Sequence, residues 1–220
     1  QVIKLSNSLN LLTGLLQPLE KQSRTLTEAE YEKLILWSIC WGCGGIYEFK
    51  ERGDLHDYLS AKGCPVPPRG KDNETIYEYY LDTESRVGSV DWKLVTPEVW
   101  KPADKNISFS NLLLPTLDST RAEVLISLIQ HQPRIPYGLC TNSVLLIGGS
   151  GTAKTSSVLM YAKKFKDDVM LFKRMNFSSA TQPGQFQANI EEATEDRMGR
   201  DFGPKGGKLM TVFIDDCSMP

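Results

Sequence analysis

The stretch Ser143–Ser157, SVLLIGGSGTAKTSS, constrains this chain more than any other. An apolar run, Val144 to Ile147, leads into Gly148-Gly149-Ser150-Gly151-Thr152-Ala153-Lys154-Thr155, which meets seven of the eight positions of the phosphate-binding P-loop pattern, counting the free ones. Polyphosphate demands many donors at close range. Glycines at 148, 149 and 151 let backbone N–H groups turn inward with no Cβ in the way, and the helix that opens next directs its positive end at the anion. Lys154 is expected at the β- and γ-phosphates, the Thr155 hydroxyl at Mg²⁺, and Ser156 in the same helical turn. Ala153 departs from the pattern, which has glycine there, by one methyl group.

A glycine-rich turn between a strand and a helix would look similar, so a second motif decides. Leu209 to Ile214 is a mostly apolar strand that runs into Asp215-Asp216. A strand ending in an acidic pair is what a Walker B element requires, with one carboxylate at the metal and the next near the attacking water. The two motifs together predict a site for ATP or GTP with Mg²⁺.

Bulk properties narrow the partners. Of 220 residues, 24% are charged and 40% hydrophobic, an ordinary globular balance, and the net charge of −2 gives no electrostatic reason to expect nucleic acid or an anionic membrane surface. No apolar run approaches the ~20 residues of a spanning helix. The five cysteines, Cys40, Cys43, Cys64, Cys140 and Cys217, are an odd set suited to a reducing compartment, and Cys40-x-x-Cys43 lacks the second pair that a metal site needs. The chain starts without methionine and stops just after the acidic pair, which reads as a piece of something longer.

Residues 1–62 are expected to form a small helical subdomain. Leu9 to Leu19 carries a helix face interrupted by Gly14 and ended near Pro18. Thr27 with Glu30 makes a capping box for a second helix, apolar nearly all round and so expected to be buried, closed by Gly42, Gly44 and Gly45. A third spans about Phe49 to Ala61 and carries His56, expected on the surface or satisfied. Residues 63–105 read as a proline-rich linker followed by a hairpin of Thr75–Asp82 and Ser89–Val95. Its Tyr77, Tyr79, Tyr80 and Trp92 lack interleaved basic residues, which favours packing over base stacking. From residue 106 the pattern becomes α/β. Leu112 to Leu117 is extended, Asp118-Ser119-Thr120 offer N-caps for a helix striped by Val124, Leu125, Leu128 and Ile129, and then come the P-loop strand, its helix through about Lys164, a strand near Val169–Asn176, a helix near Gln185–Met198, a loop at Gly199–Lys208 and the Asp215 strand. The class is therefore α/β, with a parallel sheet flanked by helices and preceded by the helical subdomain and the hairpin.

The segment Leu114-Pro115-Thr116-Leu117-Asp118-Ser119-Thr120-Arg121, the GGSGTAKT loop, Asn176-Phe177-Ser178-Ser179-Ala180-Thr181 and Phe213 to Pro220 together resemble the heavy chains of dynein, more narrowly the third AAA+ module of the motor ring and the small subdomain before it. The Asp-Asp-x-x-Met-Pro ending is more similar to axonemal dyneins than to the cytoplasmic motor. The resemblance implies a ring of six linked AAA+ modules that uses ATP to change microtubule affinity, a neighbouring module that supplies an arginine finger, dynein intermediate and light chains as partners, and an axonemal place in cilia or flagella within the cytoskeleton. It puts Lys154 and Thr155 at the phosphates and Mg²⁺, Asp215 at the metal, Asp216 where a catalytic glutamate usually stands, Asn176 where a polar residue can hold that carboxylate off the water, and Leu114, Pro115, Thr116 and Leu117 against adenine. Asp216 is one methylene shorter than glutamate, which draws its carboxylate back by ~1.5 Å. That favours a slow, regulatory site. A stand-alone P-loop enzyme such as a small kinase, and a structural module with a permanent nucleotide, remain as rival readings.

Overall fold

The structure, a computed structural model, describes residues 2–70, 74–83, 85, 88–99, 112–130, 143–197, 199 and 201–218. They divide into two compact units, residues 1–147 and 148–220.

The first unit is built on helices α1 (Val2–Lys21), α2 (Glu28–Gly44) and α3 (Phe49–Ala61), a hairpin of β1 (Tyr79–Leu81) and β2 (Trp92–Leu94), and α4 (Leu117–Gln130). Leu11, Leu15 and Leu19 recur on one face of α1 and bury against Leu34, Trp37 and Cys40 of α2, with Ile76, Tyr77, Leu81 and Val90 from the hairpin region. The helix does not stop at Pro18: it runs on to Lys21, because a proline this close to the end forfeits one intrahelical bond and the last turn closes through Gln22 N–H to the Pro18 carbonyl. Gly14 is the contact point with α4. A Cβ there would overlap the Leu128 carbonyl oxygen, so only glycine lets the two backbones approach this closely.

The expected capping box at the start of α2 is present, with Thr27 N–H donating to Glu30 Oε2 at 2.8 Å. Glu30 does more than cap. Its other oxygen accepts from Val90 N–H at 2.7 Å and from Arg24 at 3.0 Å, tying α2 to the chain leading into β2. The Thr27 and Val90 N–H groups hold its carboxyl down at about 2. Although α2 is apolar nearly all round, only one face is buried; Tyr31, Ile35 and Ile39, spaced four apart, are exposed. Gly42 and Gly44 lie inside the helix rather than beyond it, where a side chain would meet Ser8 and the Tyr77 hydroxyl. The hairpin forms as expected, in antiparallel register Tyr79↔Leu94 to Leu81↔Trp92. The proline-rich stretch before it is packed, since Trp92 Nε1 donates to the Pro65 carbonyl at 3.0 Å and the Tyr79 hydroxyl to that of Pro68 at 3.2 Å. His56 is 2% exposed and satisfied, its Nδ1 accepting from Ile76 N–H at 3.1 Å, and burial followed by the nearby Arg69 charge lowers its pKa. Cys40 is also buried, which pushes its thiol up to about 12.

The second unit contains α5 (Lys154–Ala162), β3 (Met170–Asn176), α6 (Pro183–Glu192), β4 (Thr194–Asp196), β5 (Phe202–Pro204) and β6 (Leu209–Asp215). Strands β3 and β6 pair in parallel from Met170↔Leu209 to Asn176↔Asp215, the arrangement expected of an α/β core. Phe172 stacks on Phe213, and Phe165 meets Phe172 edge-on. Two expectations are corrected here. Helix α6 ends at Glu192, not Met198; the next residues form β4 and pair antiparallel with β5 inside what reads as a loop. Val144–Ile147 forms no strand ladder among the described residues, and Leu145 and Ile147 stand 69% and 87% exposed. A strand is held by ladder hydrogen bonds to a neighbour, and the described residues supply none for this run.

Candidate nucleotide site

Helix α5 opens at Lys154, and its first backbone bond runs from Ser157 N–H to the Ala153 carbonyl at 2.9 Å. The N–H groups of Lys154, Thr155 and Ser156 therefore have no intrahelical acceptor and stay available to an anion. The turn before the helix is left-handed twice, at Gly151 (φ 75°) and at Ala153 (φ 57°, ψ 24°). Space is not the difficulty at 153. What the missing glycine costs is conformational, because an L-residue with a Cβ is strained in this region. Gly148 is held by a second constraint: a Cβ there would come within 3.0 Å of Thr152 Oγ1. Lys154 folds back over the loop, with Nζ donating to the carbonyls of Gly148 at 2.9 Å and Gly149 at 2.7 Å, and Thr152 Oγ1 donates to Gly149 O at 2.9 Å. Ser150 is exposed and Ser156 half-buried.

The Walker B strand delivers its carboxylate to this turn. Thr155 Oγ1 donates to Asp215 Oδ1 at 3.0 Å, so the two residues assigned to the metal from separate motifs are in direct contact. Asp215 is the last residue of β6, and Phe177 N–H donates to its carbonyl at 3.0 Å, which fixes the end of the parallel pair. Asp216 follows immediately in a left-handed conformation (φ 54°) and is exposed. Asn176 sits opposite Asp215 in the ladder, and its Oδ1 accepts from Arg174 Nε at 3.1 Å. Arg174 escaped the sequence reading. It lies two residues before Asn176, hence on the same face of β3, and donates to Asp215 Oδ2 at 2.9 Å. Alternation along the strand puts Arg174 and Asn176 together, but only the one-to-one register with β6 brings the arginine to the aspartate.

Leu114, Pro115, Thr116 and Leu117 belong to the first unit. Thr116 precedes α4 and takes the cap position that Asp118-Ser119-Thr120 suggested: its Oγ1 accepts from Ser119 N–H at 3.2 Å while Ser119 Oγ accepts from Thr116 N–H at 2.8 Å. Leu117 lines a pocket of about 670 Å³ with Arg52, Glu78 and Arg121 among its walls, and Leu114 is about half exposed.

A family model described as the P-loop containing dynein motor region matches residues 101–220, and that of the dynein heavy chain AAA lid domain matches residues 1–94. Among curated relatives, the dynein gamma chain of the flagellar outer arm from Chlamydomonas reinhardtii is 35% identical over 222 residues, covering 100% of this chain and 5% of the relative. Dynein axonemal heavy chain 8 from Homo sapiens is 37% identical over 221 residues, covering 97% and 5%. Dynein axonemal heavy chain 5 from Mus musculus is 33% identical over 219 residues, covering 98% and 4%. The chain spans about 5% of the length of such relatives. With a P-loop in contact with its Walker B aspartate and both family regions matched along its length, the chain belongs to the dynein heavy chain family.

Proposed function

We propose that this chain is an ATP-binding AAA+ module of an axonemal dynein heavy chain, part of an ATP-driven microtubule motor of cilia and flagella. The observation that carries the reading is the 3.0 Å contact between Thr155 and Asp215, which makes one hard-oxygen site out of two motifs. The residues fit a magnesium polyphosphate. The hydroxyl and carboxylate are oxygen donors of the kind Mg²⁺ takes, the free N–H groups of α5 suit the phosphates, and Lys154 can neutralise their charge. Bound Mg²⁺ would supply charge neutralisation across the phosphate chain.

The module assignment divides the chain into residues 1–62 as the small helical subdomain of the preceding module, 63–105 as linker and hairpin, and 106–220 as the start of the next large subdomain. Leu114 to Leu117 are assigned to adenine contact from the family resemblance. Asp216 takes the position of the catalytic carboxylate, and Asn176 that of the polar residue that can hold it off the water. A short side chain at 216 and a strained Ala153 both favour a site that binds ATP or ADP and turns over slowly, in a regulatory part. Neighbouring AAA+ modules, one of them giving an arginine finger, together with intermediate and light chains and the microtubule, complete the machine.

The test is a titration of the full heavy chain, other nucleotide sites disabled, with a fluorescent ATP analogue. Lys154→Ala should remove most of the affinity, whereas Lys163→Ala, at the exposed far end of α5, should change it less than twofold. Equal losses from both would overturn the site.

A further inference from the structure

One guanidinium organises the end of the β3–β6 pair. Arg174 donates from Nη2 to Asp215 Oδ2 at 2.9 Å and from Nε to Asn176 Oδ1 at 3.1 Å, and lies 6.0 Å from the centroid of the Phe213 ring. The register makes this cluster unavoidable: Arg174↔Phe213 and Asn176↔Asp215 are successive same-face pairs of a parallel ladder. The Asp215 carboxylate is thus shared, with Oδ1 on Thr155 and Oδ2 on Arg174. Its side chain is only 15% exposed, so solvent screens this neighbour poorly, although Arg174 itself is 39% exposed.

We propose that Arg174 is a positioning residue of the nucleotide site that competes with Mg²⁺ for the Asp215 carboxylate, and so sets the Mg²⁺ concentration that nucleotide binding requires. This rests on the nucleotide reading above. Two effects of the arginine oppose each other. Its hydrogen bond orients the carboxylate, which favours the metal; its positive charge, in contact with that carboxylate, repels a dication. Orientation is the weaker effect, because the Asp215 backbone is fixed by the β3–β6 ladder and by Phe177 N–H, and Thr155 holds the other oxygen. Charge is the stronger. A cation in contact with the carboxylate repels any second cation that approaches it, and a dication feels that field twice over, reduced here by the exposure of the guanidinium.

The experiment uses the full heavy chain with other nucleotide sites disabled, a fluorescent ATP analogue as probe, and Mg²⁺ as the titrant. In Arg174→Gln, the Mg²⁺ concentration giving half of the metal-dependent gain in analogue binding should fall about 3- to 10-fold, while affinity in EDTA does not rise. Arg174→Lys keeps the charge and should stay within twofold of wild type. An unchanged midpoint in Arg174→Gln, a midpoint in Arg174→Lys that moves as far as in Gln, or equal losses with and without Mg²⁺ would each overturn the proposal. Lys154→Ala in the same titration tests the underlying site: if it leaves binding intact, the nucleotide reading fails and not merely the role of Arg174.

Discussion

Replacing Ala153 with glycine should stabilise the start of α5, although a glycine ordinarily weakens a helix. Ala153 holds φ 57° and ψ 24°, a left-handed conformation that costs an L-residue about 1–2 kcal/mol. Ala153→Gly removes that strain but restores backbone freedom to the unfolded chain, which costs about 0.4–1 kcal/mol. The difference leaves a net gain of about 0.5–1 kcal/mol, or a 2- to 5-fold change in the opening equilibrium. No capping bond is lost, since the Ala153 side chain makes none. The control is Ala188→Gly, at an exposed position inside α6, where glycine should cost about 1 kcal/mol. Native-state hydrogen exchange of the α5 and α6 amides reads both local openings in the intact chain. Protection in α5 should rise with Ala153→Gly and protection in α6 should fall with Ala188→Gly. A loss of protection at α5 would refute the argument, because it would mean that position 153 is not strained.

Gly14→Ala should destabilise the first unit by about 2 kcal/mol in denaturant melts, since the new methyl meets the Leu128 backbone rather than a movable side chain. Glu30 has a carboxyl held at about 2 against an ordinary value near 4.5, so its contribution is complete above pH 4.5 and drains away as pH falls towards 2; the ceiling is about 3 kcal/mol, and Glu30→Gln should abolish that slope in acid melts. His56 runs at higher pH: its neutral form is favoured in the fold, so stability should decline as pH drops below 6.5 and the unfolded chain takes up the proton, a slope that His56→Gln should flatten. Asp216→Asn tolerates the left-handed turn as aspartate does, so it isolates the carboxylate; on the slow-site proposal single-site turnover should change less than threefold, and a drop on the general-base scale of ~10²-fold would show that Asp216 already serves as base.

What the sequence discloses follows from how local each signal is. The capping box at Thr27, the hairpin and the Walker pair are set by residues a few positions apart, or by a strand and the turn that ends it, and all form. The extent of α1 was not legible, because Pro18 and Gly14 look like breakers until the end of the helix and the backbone of α4 are in view. The exposed stripe Tyr31, Ile35 and Ile39 is as apolar as the buried one, so composition alone cannot say which face of α2 is inside. Thr194–Asp196 and Phe202–Pro204 carry charge, glycine and proline where strands usually carry β-branched residues; what makes them a hairpin is pairing, with Arg197 N–H on the Asp201 carbonyl closing it. Arg174 needed the β3–β6 register, which no window along one strand contains.

The described residues include three non-glycine positions in the left-handed region, Ser23, Ala153 and Asp216, and their distribution bears on how the site works. Ser23 has a local reason, since it ends α1 while its N–H donates to the Glu20 carbonyl. The other two terminate nothing helical. They stand immediately before Lys154 and immediately after Asp215, on the two sides of the Thr155–Asp215 contact. Ala153 carries a local cost of about 1–2 kcal/mol, whereas an aspartate such as Asp216 adopts this region more readily than most residues. The left-handed turn at 153 lifts the chain out of the loop so that α5 begins with its free N–H groups gathered at one end; the turn at 216 breaks the extended run of β6 just past the carboxylate that meets Thr155. On the proposed nucleotide reading, the left-handed turns on both flanks of the Thr155–Asp215 hydrogen bond serve the geometry of a polyphosphate site.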